Sequence, residues 1–378
     1  GKGRSMSGVT LIGCGFVADL YMRSLQASGI SVLGAFDQNA KRLATFCDYW
    51  DVPKANDLEE LFTVTPSDGV ILNLTNPSAH YDVNRACLQA GHHVYSEKPL
   101  ALDMTHARAL HQMAQDKGLL LASAPCSVLG EAAQTLAKAV RDQVAGEPRV
   151  IYAELDDGYI PQAPVKDWRS ESGAPWPYED EFQVGCTLEH AGYYLTWLIA
   201  MFGTVQTVTA ASASVIPDKL DVADAAPDIS VATLFFESGM VARLTCSIVA
   251  PHDHQIRVIG DKGVLALHKA WDNGAAVKFH PRLRIRRRLL DSPLGRRIKL
   301  KGATHPKVGR WGAASMNFAL GPAEMLEALR DKRPCRLSSD FALHLNEVTL
   351  AIQNAGRTSG AQEMTTQCPP MEPMPWAK

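Results

Sequence analysis

The stretch Ser7–Leu25, SGVTLIGCGFVADLYMRSL, decides the fold of this chain. Its first apolar residues, Val9–Ile12, have the length and composition of a short buried strand. The strand leads directly into the turn Gly13–Ala18, which has the pattern GxGxxA, and apolar residues then recur at helical spacing. A strand, a glycine-rich turn and a helix in this order are typical of a dinucleotide-binding fold.

The residues of this turn have separate tasks. Gly13 permits the tight turn, and Gly15 lacks the side chain that would keep a pyrophosphate away from the backbone. Ala18 is small enough for the helix to pack closely on the strand. The N–H groups at the start of the helix, at Phe16 and Val17, would face the phosphates.

A second apolar strand, Ile30–Phe36, ends at Asp37, which lies 22 residues after Gly15. A carboxylate at this distance is expected to bind the cofactor ribose, and it favours NAD over NADP because it repels a 2′-phosphate. Lys41 and Arg42 nearby keep NADP open as an alternative. The alternative interpretation of Gly13–Ala18 is a tight strand-to-helix turn that binds no ligand.

The overall composition describes an ordinary globular protein. The chain has 378 residues, of which 46% are hydrophobic and 21% charged, so two domains are expected. A net charge of −2 gives no general attraction to nucleic acid or membranes, and no apolar run is long enough to span a bilayer. Eight scattered cysteines without a CxxC pair predict reduced thiols and a cytoplasmic location. Gly1–Ser5 are interpreted as an expression remnant and excluded.

Strands and amphipathic helices alternate from Met6 to about Ser123. This alternation predicts an α/β fold with a doubly wound parallel sheet, whose ligands bind at the carboxyl ends of the strands. Beyond residue 124 come an irregular stretch, Asp156–Val184, a helix at Thr187–Phe202, and period-two strands that predict a mostly antiparallel sheet. We therefore expect domains at residues 6–124 and 125–362, followed by a tail at 363–378.

Two further segments could have carried a function. Arg282–Lys301 is strongly basic, and we interpret it as a solvated, poorly ordered insertion rather than a phosphate clamp or a contact with an anionic surface. His252 and His254 have the residue type of metal ligands and share one face of a strand. No third ligand is evident in the sequence, so no metal site is predicted.

Several motifs resemble the Gfo/Idh/MocA family of NAD(P)-dependent sugar oxidoreductases, which includes glucose–fructose oxidoreductase and inositol dehydrogenases. The stretches that carry the resemblance are GCGFVA, the acid Asp37, TNPSAHYDVNRACLQAGHHVYSEKPLA and GCTLEHAGYYLTWL. The resemblance implies a Rossmann domain, then an α/β domain with an open, mostly antiparallel sheet. It also implies that members associate through this sheet, as a homodimer or homotetramer.

The resemblance assigns roles to the residues that match its motifs. Lys98 would face the nicotinamide and the reacting hydroxyl, with Glu97 near the cofactor. The nicotinamide ribose would be lined by Thr75, Asn76, Pro77 and His80. For His80, packing or capping of the helix that it begins is the alternative.

The second motif departs from the family pattern. Many members carry DxGxH where this chain has His190-Ala191-Gly192-Tyr193-Tyr194. His190 therefore occupies the usual Asp position and Tyr194 the usual catalytic His position. Residues four apart share a helical face, so Tyr194 is predicted to transfer the proton with help from His190. Core packing is the alternative for Tyr194.

Trp168 and Arg169 precede this helix and resemble the W-R pair of some members. Arg169 is predicted to hold a carboxylate or phosphate of the substrate with its planar fork.

Three functions remain from the sequence. The leading one is hydride transfer between NAD(H) and a secondary alcohol of a sugar, sugar derivative or cyclitol. The second is a glycoside hydrolase or lyase that oxidises its substrate transiently and retains NAD. The third is a sensor that binds NAD or a sugar without catalysis. The complete motif Glu97-Lys98-Pro99, called the EKP motif below, argues against this function.

Overall fold

The computed structural model describes residues 6–358 and 360–378, so Gly1–Ser5 lie outside the described residues. Two compact units share the chain. One unit runs to Cys126 and also contains Pro164–Val184 and Pro306–Glu347; the other comprises Ser127–Ala163, Gly185–His305 and Val348–Lys378. The first change of unit falls two residues after the predicted boundary at 124, but two later segments return to the first unit.

The first strand has its predicted bounds, and the second begins at Val32, two residues later than predicted. The sequence predicts an irregular stretch at Asp156–Val184, but this stretch ends in a helix at Tyr178–Val184, so that part of the prediction is wrong. The strands are β1 (Val9–Ile12), β2 (Val32–Phe36), β3 (Val70–Asn73), β4 (His93–Ser96), β5 (Leu121–Ser123), β6 (Pro148–Asp156), β7 (Val205–Ala213), β8 (Ile229–Phe236), β9 (Val241–Ser247), β10 (Ile256–Gly260), β11 (Gly263–Leu267), β12 (Val277–Ile285), β13 (Arg288–Asp291), β14 (Arg296–Ile298) and β15 (Ala361–Glu363). The helices are α1 (Phe16–Ala27), α2 (Ala40–Trp50), α3 (Leu58–Val64), α4 (His80–Gln89), α5 (Met104–Lys117), α6 (Glu131–Arg141), α7 (Tyr178–Val184), α8 (Gly192–Phe202), α9 (Leu320–Asp331) and α10 (Ser339–Gln353).

The first unit is built on five parallel strands in the order β2-β1-β3-β4-β5. Every residue of β1, β3 and β4 is buried. Continuous burial is expected for parallel strands covered by helices on both faces. The strand order changes direction between β1 and β3, and open α/β sheets bind ligands at such a point. The predicted doubly wound parallel sheet is confirmed.

The second unit is built on a larger, mixed sheet. Its order is β13-β12-β11-β10-β6-β9-β8-β7-β15, with β14 also paired to β12. Only β6 and β9 pair in parallel among these strands; the other pairs are antiparallel. Along β8 buried and more exposed residues alternate, and Val231 and Phe235 are exposed. One face therefore packs and the other is open, as the mostly antiparallel pattern predicted.

The basic segment differs from its prediction. Most of Arg282–Lys301 is ordered as strands, because β12 continues the large sheet and folds back as β13 and β14. The side chain of Asp291, its single acid, accepts from Arg282 at 3.0 Å. Backbone pairing, which is independent of side-chain charge, orders this segment despite its exposed arginines.

The Pro-rich tail and the cysteines are also described. The tail packs within the second unit, where Cys368 N donates to Thr204 Oγ1 at 2.9 Å and Met371 N donates to Ala200 O at 2.8 Å. All eight cysteines are free thiols, and seven of them are buried. Among residues 6–358 and 360–378, no helix combines the length and the hydropathy needed to cross a bilayer.

Candidate active site

A pocket of about 270 Å³ lies at the carboxyl ends of β1, β2 and β3. Five of the predicted cofactor residues line it: Gly13, Gly15, Asp37, Thr75 and Asn76. Phe16 and Val17 open α1 beside this pocket, and Pro77 begins a 3-10 turn at Pro77–Ala79. The first N–H groups of α1 are not taken by a side-chain cap, as a phosphate-binding helix requires.

Positions 13 and 15 of the turn require glycine for different reasons. Gly13 has φ +100°, and a Cβ there would lie 2.7 Å from the carbonyl of Leu74. Gly15 has an ordinary φ of −83°, and a Cβ there would meet nothing within 4 Å. The fold therefore requires glycine at position 13. At position 15 the space is explained by a ligand that must approach the backbone closely, so the residues present fit a dinucleotide.

Replacing each glycine separates these two roles. Gly15→Val is expected to weaken NAD⁺ binding by at least about tenfold, roughly 1.4 kcal/mol, because the side chain enters the pocket. Its melting temperature should stay near that of the wild type. Gly13→Ala is the matched control, and it should lower the melting temperature by clashing with Leu74. Calorimetric titration with NAD⁺ and thermal unfolding test both; unchanged binding by Gly15→Val would remove the pyrophosphate from this turn.

Asp37 is buried at the end of β2 and already holds three groups. Its carboxylate accepts from Cys14 N and Asn39 N, both at 2.8 Å. Arg42 donates to both oxygens, at 3.1 and 3.2 Å. The side chain of Arg42 is 42% exposed and lines the same pocket. An acid and a cation thus stand together where the ribose of a dinucleotide is expected.

The turns after β3 and β4 are held by a buried polar network that the sequence did not reveal. Asn73 donates to Asn84 at 2.8 Å, and Asn84 donates to Ser96 Oγ at 3.0 Å. The hydroxyl of Thr75 donates to Asn73 at 2.6 Å. Since every member is buried or nearly so and bonded, the network fixes the position of both turns.

His80 joins the same two turns. Its Nδ1 lies 2.6 Å from the carbonyl of Pro99 and its Nε2 lies 2.8 Å from that of Thr75. The ring is buried, with 1% of the residue exposed. These contacts agree with the packing role that the sequence left open for this residue.

The EKP motif follows β4 at the carboxyl edge of the sheet. Glu97 is buried, and its carboxylate accepts from Tyr21 Oη at 2.7 Å and from Lys98 N at 3.2 Å. Burial and the neighbouring Glu97 raise the pKa of Tyr21 well above its usual range, so this hydroxyl stays protonated and donates. Lys98 is half-buried, and its peptide bond to Pro99 is cis. Glu97 therefore ties the turn that carries Lys98 to helix α1.

Trp168 and Arg169 lie in the segment that returns to the first unit. The ring of Trp168 packs edge-on against Trp176, with centroids 5.0 Å apart. Arg169 donates through Nη1 to the carbonyls of Lys166 and Trp168, both at 2.9 Å. Part of its fork is thus used within its own loop.

His190 and Tyr194, in the second unit, do not share a face as simply as an α-helix would place them. His190 lies in a π-helical turn, Thr187–Ala191, and Tyr194 lies in α8 after it. The wider turn rotates His190 relative to a regular helix. The side chain of His190 is 29% exposed, whereas Tyr194 is 1% exposed and packs near Trp197. Burial raises the pKa of Tyr194 well above its usual range, helped by Asp157.

Asp157, which the sequence did not single out, lies at the centre of a histidine cluster. Its carboxylate oxygens lie 2.8 Å from Nδ1 of His190 and 2.7 Å from Nε2 of His254. The ring of His252 lies 4.0 Å from that of His254. Donor atoms of Asp157, His252 and His254 all lie within 4.8 Å of one another. Asp157 is therefore a third residue of metal-ligand type beside the two histidines, which the sequence pattern did not show. The signal was the position of Asp157 directly after β6.

Comparisons with known proteins agree with this architecture. Residues 7–124 match the model of an oxidoreductase family with an NAD-binding Rossmann fold, GFO_IDH_MocA, and residues 133–266 match the GFO/IDH/MocA C-terminal domain.

Two curated relatives are dehydrogenases. The chain is 24% identical to mouse trans-1,2-dihydrobenzene-1,2-diol dehydrogenase, over 72% of this chain and 79% of the relative. It is also 24% identical to D-apiose dehydrogenase of Paraburkholderia graminis, over 68% of this chain and 66% of the relative.

The fold matches the crystal structure of the WlbA dehydrogenase from Bordetella pertussis, in complex with NADH and UDP-GlcNAcA. The TM-score is 0.69 at 16% identity, over 96% of this chain and 99% of the other. The two matched domains, the NAD-binding pocket and these relatives together place the chain in the Gfo/Idh/MocA family, as an NAD(P)-dependent oxidoreductase.

Proposed function

We propose that this protein transfers a hydride between NAD(H) and a secondary alcohol or ketone of a sugar, a sugar derivative or a cyclitol. The observation that carries the proposal lies in the first unit. The pocket left open at Gly15 and the half-buried Lys98 of the EKP motif occur at the same carboxyl edge of one sheet. When bound there, NAD⁺ would supply the hydride acceptor.

The remaining chemistry needs a group that takes the hydroxyl proton of the substrate and a group that stabilises the resulting alkoxide. We assign the first task to His190, aided by Tyr194, and the second to Lys98. A lysine ammonium is a compact donor that stabilises an alkoxide, and an imidazole exchanges protons near neutral pH. The 29% exposure of His190 against 1% for Tyr194 supports the order of these two residues. Trp168 and Arg169 are assigned to substrate binding, through the part of the Arg169 fork that its own loop leaves unused.

For the cofactor we propose NAD rather than NADP. Both oxygens of Asp37 are held toward Cys14, Asn39 and Arg42, so its carboxylate is ordered where it would accept from a ribose hydroxyl and repel a 2′-phosphate. Arg42 is the residue through which NADP would be accepted instead, because it is partly exposed in the same pocket.

The names of the relatives suggest the substrates to try first. One acts on a cyclic trans-diol and another on a sugar. A panel of free sugars, sugar nucleotides, cyclitols and trans-diols should be followed at the NADH absorbance, with NAD⁺ and NADP⁺ in parallel. We expect net reduction of NAD⁺ by at least one member, and a weaker rate with NADP⁺.

Two other results of the panel would contradict the proposal. Cleavage of a glycoside without net NADH would indicate a hydrolase or lyase that retains NAD. Binding of NAD⁺ without turnover across the panel would indicate a sensor.

A homodimer or homotetramer and a cytoplasmic location remain part of the proposal, and light scattering tests the oligomeric state.

A further inference from the structure

Three histidines surround the carboxylate of Asp157 at the end of β6. His190 comes from the π-helical turn, and His252 and His254 come from the segment between β9 and β10. Nε2 of His254 hydrogen-bonds to one carboxylate oxygen of Asp157 at 2.7 Å, and Nδ1 of His190 lies at ion-pair distance, 2.8 Å, from the other. Distances of this length are found between a carboxylate and a ring N–H.

The contacts of Asp157 determine where the two rings carry their protons. Nε2 of His254 and Nδ1 of His190 lie 2.7 and 2.8 Å from its carboxylate oxygens. A carboxylate oxygen offers lone pairs that accept hydrogen bonds. An unprotonated ring nitrogen at such a distance would set its own lone pair against that oxygen, so Nδ1 of His190 and Nε2 of His254 carry the protons.

The two histidines that pair with Asp157 differ in what they leave available. The side chain of His254 is 10% exposed, and its ring packs edge-on against Trp271. The side chain of His190 is 29% exposed although its Nδ1 is buried. The exposed part of the His190 ring must then lie away from Nδ1. His254 holds the carboxylate in place, and His190 is the member that a substrate can reach.

Other titratable groups lie around Asp157. They are Asp156, Asp253, His252, Tyr194, Cys186 and Cys246. The carboxylate of Asp156 accepts from Ser247 Oγ at 2.6 Å. Burial raises the pKa of Cys186 to about 12, so this thiol stays neutral.

We propose that Asp157 is a positioning residue that fixes His190 with its proton on Nδ1, so that Nε2 accepts the hydroxyl proton of the substrate. The inference rests on the proposed function. As the alcohol loses its carbon-bound hydride to NAD⁺, its hydroxyl proton passes to Nε2, and the products are a ketone, NADH and a cationic imidazole. Asp157 and His190 come from two distant parts of the chain. Together they provide a histidine and a carboxylate, although this chain lacks the Asp that begins the DxGxH motif of many family members.

The test reads the tautomer of His190 directly and needs no substrate. Protein labelled with ¹⁵N-histidine should be examined by long-range ¹H–¹⁵N correlation, and the signals of His190 assigned from their loss in His190→Gln. In the wild type we expect a protonated Nδ1 and an unprotonated Nε2 in the neutral ring. Asp157→Ala and Asp157→Asn should shift His190 toward the Nε2–H form. Asp157→Glu should partly restore the wild-type tautomer, and His252→Gln is the matched control that should leave it unchanged.

With a substrate from the panel, Asp157→Asn should lower kcat by about tenfold to a hundredfold, the size typical of lost orienting partners of histidine ligands. KM and NAD⁺ affinity should change little, and near-ultraviolet circular dichroism checks the fold.

Two results would overturn the inference. The first is a His190 tautomer that is the same in the wild type and in both Asp157 variants. The second is a stoichiometric divalent metal in the purified protein, measured by elemental analysis, that is lost in His252→Gln and Asp157→Asn. The His190 tautomer could depend on Asp157 in a protein that turns over no member of the panel. That result would count against the proposed reaction, but it would still support the positioning of His190 by Asp157.

Discussion

Lys98→Ala is expected to lower turnover about a hundredfold to ten-thousandfold, the range found when a group that takes part in proton transfer or stabilises a developing oxyanion is removed. The affinity for NAD⁺ should stay within about threefold, because Gly13, Gly15 and Asp37 line the cofactor pocket without Lys98. Steady-state kinetics on a substrate from the panel, together with calorimetric titration of NAD⁺, measures both quantities.

The controls separate chemistry from stability. Lys117→Ala removes an exposed lysine from the last turn of α5, in the same unit, and should leave both turnover and cofactor binding unchanged. Lys98→Arg keeps the positive charge but replaces a compact ammonium by a planar fork, so it should recover only part of the activity. Turnover of Lys98→Ala within about threefold of the wild type would remove Lys98 from the reaction.

The first unit could be predicted from its sequence because its signals are local. A buried parallel strand such as Val9–Ile12 is apolar throughout, and Gly13 directly follows it. Parallel strands bring their carboxyl ends to one edge, so Asp37 and Thr75, which come after β2 and β3, belong at that edge, and both line the pocket. Local patterns could not reveal that Asn73 and Asn84 fix these turns, since buried polar partners depend on packing.

The second unit shows where local patterns fail. The four-residue spacing of His190 and Tyr194 assumes an α-helix, but the π-helical turn at Thr187–Ala191 places a half-buried ring at His190 before a fully buried one at Tyr194. The partners Asp157 and His254 lie 97 residues apart, so only the pairing of strands brings them together. In the basic segment the charges of the arginines suggested disorder, whereas the backbone pairing of β12 with β13 decides its structure.

A buried ion pair between Lys219 and Asp228 is expected to contribute strongly to the stability of the second unit. Asp228 is fully buried and Lys219 is 7% exposed, and the Lys219 Nζ lies 2.9 Å from Asp228 Oδ2. The carboxylate also accepts from the backbone N–H groups of Val215 and Ile216, at 2.8 and 3.1 Å. One side chain therefore compensates a buried cation and two backbone donors, one of them buried, in the segment between β7 and β8.

Asp228→Ala should lower the free energy of unfolding by about 3–5 kcal/mol, because it leaves the ammonium of Lys219 buried without its counter-charge. Urea denaturation followed by circular dichroism measures the loss. Asp218→Ala is the matched control from the same segment. Its exposed carboxylate accepts from Leu220 N at 3.0 Å, so its cost should stay below about 1 kcal/mol.

A double variant distinguishes the buried cation from the lost backbone bonds. Lys219→Met combined with Asp228→Asn removes both charges and keeps an amide oxygen that can accept from Val215 N or Ile216 N. Its stability should lie between that of Asp228→Ala and that of the wild type, since no charge remains unpaired. If Asp228→Ala cost no more than Asp218→Ala, the ion pair would contribute nothing measurable. If the double variant were as unstable as Asp228→Ala, the backbone donors rather than Lys219 would account for the loss.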